Sequence, residues 1–302
     1  MKYGYVGLGH LGANLAMNLV KAGYEVTVTD LNKDNAKKLI AAGAKWADTA
    51  REVAANSDAV ITCLPSPKVS MAVLTGKDGI LAGLKKGGTW IENSTNGKEE
   101  IEAMAKIAAE HGVETLEAPV TGGVHKAAQG TITVLVGGDK AIFDKHLPAL
   151  QKLGGEIFHM GPIGSASVIK VITNMLAFIH LVACGEALML AKRGGLDLAQ
   201  SFHAIKASSG NSFVHETEGQ VILNGSYNIN FTMDLACKDL GFATKFGRDF
   251  GVPLKLAGLT EQIFVEGRQA YGGEAWSSQI VKLLEDALHT DLRAPGFPAE
   301  LE

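Results

Sequence analysis

Some residue sets in this chain have types and spacings suited to chemistry. Gly7-Leu8-Gly9-His10-Leu11-Gly12 directly follows the apolar run Tyr3-Gly4-Tyr5-Val6, and a helix-like stretch comes next. A β-rich run at 24–29 then ends in Asp30, about twenty residues past the loop, the spacing of a dinucleotide-binding βαβ unit. Gly7 permits the tight turn, Gly9 lets a pyrophosphate approach the backbone, and Gly12 lets the helix lie close to the strand. The helix N-terminus offers N–H groups and a positive dipole end to the phosphates. Asp30 can accept the ribose hydroxyls of NAD and would repel a 2′-phosphate. Leu31 and Asn32 follow it where an NADP-preferring chain is expected to carry Arg, and Lys33 is the one nearby cation. The run therefore predicts NAD in preference to NADP. A glycine-rich turn without a ligand is the plain alternative.

Further groups lie downstream. Thr121-Gly122-Gly123 follows an apolar strand, and paired glycines can present successive N–H groups to a carboxylate, with the Thr121 hydroxyl as another donor. An ordinary strand-end turn fits that segment equally well. Lys170 and Asn174 are four apart, so they share one helix face at roughly 5–6 Å. An amine and an amide one turn apart on an apolar helix are uncommon unless they serve something. The bland alternative is a surface Lys whose stem snorkels. Lys238-Asp239-Leu240 starts a helical stretch, where charged residues usually form a solvated first turn.

These residues need elements to position them. Apolar β-like runs at 59–63, 89–92, 113–116, 132–136 and 156–159 alternate with helical stretches such as 35–42, 99–111 and 140–153. Such alternation predicts a doubly wound, mainly parallel Rossmann-type sheet covered by helices. Residues 160–164, Met-Gly-Pro-Ile-Gly, break the pattern, and strand signals then nearly vanish. One helix is predicted over 165–193, then helical segments at 198–207, 234–250, 253–270 and 277–288, with an extended tail at 292–298. The domains read as 1–163, NAD-binding, and 164–302, an all-helical substrate and oligomerisation domain joined by the long helix.

The loop, the Pro119-Val120-Thr121-Gly122-Gly123 turn, residues 161–174 and Lys238-Asp239-Leu240 occur in the order found in β-hydroxyacid dehydrogenases, and the chain resembles that family over nearly its whole length. The group includes 3-hydroxyisobutyrate dehydrogenase and tartronate semialdehyde reductase. The resemblance implies Lys170 as catalytic acid/base and Asn174 as a substrate-orienting group. It implies Thr121, Gly122 and Gly123 as holders of the substrate carboxylate, and Lys238 against cofactor and substrate. Leu64-Pro65 and Ser94-Thr95 match its cofactor-contacting positions. The chain departs from the family pattern at Glu117 (usually Asp), Thr121 (often Ser), Lys126 (Gly), Ala166 (Gly), Thr173 (often Asn) and Leu11 (Met).

The implied reaction is reversible NAD-dependent oxidation of a short 3-hydroxy carboxylate to its semialdehyde or ketone. A free Lys titrates near about 10.4, so burial, the positive nicotinamide and Lys238 are each expected to lower Lys170. Alternatives are a reductase of a short aldehyde acid, imine reduction, or a non-catalytic NAD-binding protein. Lys206, Ser208, Asn211, His215 and Trp276 are candidates for reading the substrate side group.

Composition narrows the classes. At 302 residues the chain can hold two domains. A net charge of −4 with scattered cations gives no global attraction to nucleic acid or anionic membranes. Cys63, Cys184 and Cys237 are widely spaced without a CxxC pair, which fits a reducing, cytoplasmic setting and no metal site. The first strand signal begins almost at Met1, and no signal peptide is read. The apolar stretch 175–191 contains His180 and Glu186, so a buried helix is expected rather than a membrane span. Its apolar character favours a homodimer or homotetramer.

Overall fold

The computed structural model describes residues 1–301. It divides into two compact units, Met1–Lys170 and Val171–Glu302. The first holds one sheet of nine strands: β1 (Lys2–Val6), β2 (Glu25–Thr29), β3 (Lys45–Trp46), β4 (Ala59–Thr62), β5 (Thr89–Glu92), β6 (Glu114–Glu117), β7 (Val120–Thr121), β8 (Ile132–Gly138) and β9 (Gly154–Gly161). Their order is β3-β2-β1-β4-β5-β6-β8-β7, with β9 paired to β8.

Strands β1 to β6 pair in parallel, as the alternation of strand and helix signals predicts. Burial of both faces explains why β1 and β4 read as near-continuous apolar runs. One side is filled by Tyr5, Leu15, Leu19, Val28 and Leu150. The other is filled by Val53, Val60, Trp90, Ile101 and Met104. Strand β8 departs from the parallel plan and runs antiparallel to β6 and β7. Only residues 122–131 separate β7 from β8, too few for a parallel crossover, which takes about a dozen or more. Strand order reverses between β1 and β4, the switch point at which such sheets bind ligands.

The helix Ser165–Arg193 begins in the first unit and continues into the second. By length and composition alone it is long and apolar enough to cross a membrane. The burial expected of it is only partial: 39% of its apolar 18-residue window is buried, and Ile172, Leu176 and Leu190 are exposed. The second unit continues with helices Leu198–Lys206, Phe213–Asn224, Met233–Asp249, Lys255–Tyr271 and Lys282–Leu288. Their core includes Phe178, Leu188, Phe202, Ile222 and Phe264. Helix Phe213–Asn224 leaves no periodic mark in the sequence, because buried residues lie all round it and no polar face sets a period. Residues 289–301 have no regular helix or strand; Ala294 N–H donates to Leu223 O at 3.0 Å, and the Asn224 amide donates to Phe297 O at 2.9 Å.

Candidate active site

The glycine loop leaves β1 at Gly7, whose φ of +94° suits glycine, and a Cβ there would come within 2.3 Å of the Cys63 carbonyl. Gly12 opens the helix Gly12–Lys21, and a Cβ on it would lie 2.1 Å from Gly7 O. Both therefore serve close packing. Gly9 differs: a Cβ at Gly9 would meet nothing within 4 Å. No side chain caps the helix. An open glycine edge beside an uncapped helix N-terminus is what a pyrophosphate requires. The residues present fit a dinucleotide.

Asp30, one residue past β2, fixes this loop. Its Oδ2 accepts the Leu8 N–H at 2.6 Å, and its Oδ1 accepts Asn32 N–H at 2.8 Å and the Asn35 amide at 3.1 Å. With roughly four acceptor positions on a carboxylate, about one is left for a ribose hydroxyl. Asp30 therefore builds the loop, which spacing alone does not show. Leu31 is fully exposed, and the Lys33 ammonium sits 5.0 Å over the Trp46 ring.

Two cofactor-contacting turns expected from the resemblance are tied directly: the Leu64 N–H donates to Ser94 Oγ at 2.7 Å. Glu92 supports the pair by accepting the Ser94 N–H at 2.8 Å. Burial raises the Glu92 carboxyl against the pull of the Ser94 donors. Pro65 is exposed and Thr95 half-buried on the same turns. Burial also lifts the neighbouring Cys63 thiol to about 12, so it stays protonated. Asn93 joins three strand ends, accepting from Tyr5 Oη at 3.2 Å and donating to Ala118 O at 2.6 Å.

The turn after β7 takes positive φ at both Gly122 (+126°) and Gly123 (+91°), an arrangement that substitutes poorly. Thr121 is half-buried beside them. The Lys126 stem folds over Gly122 and the His125 ring abuts Gly123. Burial, and then Lys126, lower the His125 pKa.

Lys170 is buried, at 7% exposure, on the second turn of the long helix, and Asn174 is buried one turn later, at 8%. This disposes of the snorkelling surface Lys. The Asn174 amide donates to Asp239 Oδ2, and the Lys238 ammonium meets Asp239 Oδ1, each at 2.6 Å. The Lys238-Asp239-Leu240 segment is therefore not a solvated first turn. Its helix starts earlier, at Met233, and Asp239 is 1% exposed. The sequence does not single out Asp239; its place beside Lys238 is the one signal for it. His215 is a core group rather than a substrate reader: it stacks on Phe202 at 4.6 Å, with Nε2 at 2.9 Å from Phe202 O. Lys206 and Asn211 both engage Glu216. Among the described residues no group of three or more His, Cys, Asp or Glu could hold a metal ion.

The profile described as NAD binding domain of 6-phosphogluconate dehydrogenase matches residues 2–161, and that described as NAD-binding of NADP-dependent 3-hydroxyisobutyrate dehydrogenase matches 164–284. The 2-(hydroxymethyl)glutarate dehydrogenase of Eubacterium barkeri is 35% identical over 286 residues, 94% of this chain and 95% of its own length. The chain belongs to the β-hydroxyacid dehydrogenase family. A second member, L-threonate dehydrogenase of Escherichia coli (strain K12), is 31% identical over 93% of each chain. The NAD-dependent L-serine dehydrogenase of Pseudomonas aeruginosa is 36% identical over 79% of this chain and 83% of its own. The 3-hydroxyisobutyrate dehydrogenase of Salmonella typhimurium superposes with a TM-score of 0.88 at 30% identity, covering 94% of this chain and 99% of that one. Imine reductases share only the fold, at 19–22% identity. As a β-hydroxyacid dehydrogenase, the chain is an oxidoreductase acting on CH–OH groups with NAD as its cofactor.

Proposed function

We propose that this enzyme oxidises a short 3-hydroxy carboxylate reversibly, with Lys170 as the acid/base. The observation that carries the reading is a buried amine, Lys170, one helical turn from an amide, Asn174, that a buried carboxylate orients. Bound NAD would supply the hydride acceptor for the carbinol carbon. Lys170 takes the proton from the carbinol oxygen, and Asn174, its Nδ2 held by Asp239, offers Oδ1 to the hydroxyl or to the Lys170 amine without adding charge. Thr121 Oγ1 and the Gly122 and Gly123 N–H groups hold the substrate carboxylate. Gly9, the N-terminus of Gly12–Lys21, Asp30, Leu64 and Ser94 would hold the dinucleotide. Lys238 is held by Asp239 and would bind the cofactor and substrate.

NAD is the preferred cofactor. Asp30 would meet a 2′-phosphate with like charge, and Lys33 rests over Trp46. The exposed Ile172, Leu176 and Leu190 of the long helix support a homo-oligomer, and three free cysteines support a reducing, cytoplasmic setting. Initial rates with NAD and NADP across L-serine, 3-hydroxyisobutyrate, 3-hydroxypropionate, glycerate, L-threonate and 2-(hydroxymethyl)glutarate test the assignment. Turnover of at least one 3-hydroxy acid with NAD is expected, and no turnover of any of them contradicts it.

A further inference from the structure

The helix that carries Lys170 is fastened at its first turn by a side chain of the sheet. Glu117, the last residue of β6, is 1% exposed. Its Oε1 accepts the Ala166 N–H at 2.9 Å; its Oε2 accepts the Ser167 N–H at 3.0 Å and the Ser167 hydroxyl. Those donors lie at the helix N-terminus, where backbone N–H groups lack intrahelical partners and a negative group is favoured. A capping carboxylate normally comes from a residue beside the helix. Here it arrives from about fifty residues earlier in the chain.

Strand β8 is shaped to admit this side chain. A Cβ on Gly137 would fall 2.2 Å from Glu117 Oε1 and 2.9 Å from both Cγ and Cδ. Gly137 pairs directly with Glu117 across the antiparallel ladder, so the missing side chain leaves the carboxylate its berth. Burial raises the Glu117 carboxyl, while the Ser167 hydroxyl and the N–H groups of Ala166, Gly164 and Ser167 pull it down. The Ala166 and Ser167 N–H groups and the Ser167 hydroxyl are all turned to it.

The two ends of this contact lead to different parts of the proposed chemistry. Beyond Glu117 the chain passes through Ala118-Pro119 into β7 and the Thr121-Gly122-Gly123 turn. Beyond Ser167 the helix reaches Lys170 three residues later, on the same face and about 4.5 Å along the axis. We propose that Glu117 is a positioning residue, clamping the helix of the acid/base amine to the strand that leads to the substrate-carboxylate seat, so that Lys170 is held in register for proton transfer. This rests on the reading of Lys170 given above. Displacements of about 1 Å can cost about a hundredfold in rate, so a clamp one turn from the amine has leverage on kcat without touching substrate.

The test is a double-mutant cycle on the full-length enzyme. Glu117→Gln keeps the volume but puts an amide against helix N–H donors; it is expected to lower kcat at least about tenfold while the NADH Kd stays within about twofold. Ser167→Ala removes only the hydroxyl and is expected to lower kcat by a smaller factor, so the proposal stays testable if Glu117→Gln folds poorly. In a Lys170→Ala background, Glu117→Gln should cost less than about twofold more, because there is no amine left to position. Multiplying losses in the cycle, or a Glu117→Gln enzyme with near-wild-type kcat, would overturn the clamp. The parent reading fails separately, if Lys170→Ala alone leaves kcat nearly intact.

Discussion

The Asn174 side-chain amide and the Asp239 carboxylate meet at 2.6 Å, with Asp239 1% exposed. A carboxylate only accepts, so Asn174 Nδ2 must face it and Asn174 Oδ1 is turned the other way as an acceptor. Asp239 also holds the Lys238 ammonium, which lies 5.1 Å over the Phe242 ring. One buried acid thus orients two residues of the proposed machinery. A hydrogen bond to a charged group contributes about 1.5–3 kcal/mol. Asp239→Asn, which lets the Asn174 amide turn either way, is expected to lower kcat roughly ten- to hundredfold. Steady-state rates with saturating NAD check this; a change under about twofold would detach Asp239 from the chemistry.

Asp30 joins cofactor choice to loop structure through its bond to the Leu8 N–H. Asp30→Ala should therefore do two things. The NAD-to-NADP ratio of kcat/KM should fall by at least about tenfold as the like-charge repulsion disappears. The NAD value should fall as well, because the loop loses its tie. Unchanged NAD kinetics would mean that the loop holds its shape without the carboxylate.

Acid sensitivity of the fold should centre on His146, which is fully buried in the first unit. Its Nδ1 lies 3.0 Å from Tyr3 Oη and its Nε2 2.9 Å from Thr89 Oγ1, two hydroxyl partners that a neutral ring satisfies with one nitrogen donating and the other accepting. Burial, with Lys145 nearby, lowers its pKa from 6.5 to about 4. The unfolded chain therefore binds this proton at a higher pH than the native one. The stabilisation is complete above about pH 6.5 and is lost as pH falls toward about 4, a change of about 3 kcal/mol. Urea unfolding of the native chain and of His146→Gln at pH 7 and pH 5 measures it. The variant is expected to show the shallower pH dependence, and parallel losses would contradict the assignment.

The C-terminal tail is fastened by Arg293, whose guanidinium meets Glu285 Oε1 at 2.9 Å and the Tyr227 hydroxyl at 2.5 Å. Glu285 is nearly buried and also accepts the Leu292 N–H at 2.7 Å. Breaking a fully buried pair costs about 3–5 kcal/mol; the Arg293 side chain is 36% exposed, so Arg293→Ala should cost less, about 2 kcal/mol. Thermal or urea unfolding shows it, and an unchanged midpoint would mean that the other tail contacts suffice.

The parts of this enzyme most legible in sequence are those with local signals. The glycine loop, Asp30 and the long helix Ser165–Arg193 announce themselves by spacing and by an apolar run ended by Gly194-Gly195. Contacts between distant positions do not. Glu117 reads only as a departure from a family pattern until the fold sets it beside Ser167, and Asp239 reads as a surface charge until the fold buries it against Asn174. The antiparallel β8 was hidden because its residues have the same β-rich character as the parallel strands, and only the short connection at 122–131 forces its direction. His215 looked available because its type suggests chemistry, whereas its partners, Phe202 and Cys184, come from other helices.

The central claim, that Lys170 exchanges the proton at the carbinol oxygen, is tested most directly by kcat of Lys170→Ala on the best 3-hydroxy acid substrate, with NADH affinity measured alongside. Positioned acid/base catalysis contributes about 10²–10⁴-fold, so kcat should fall at least about a hundredfold while the NADH Kd holds. A variant that keeps more than about a tenth of the native kcat contradicts the account.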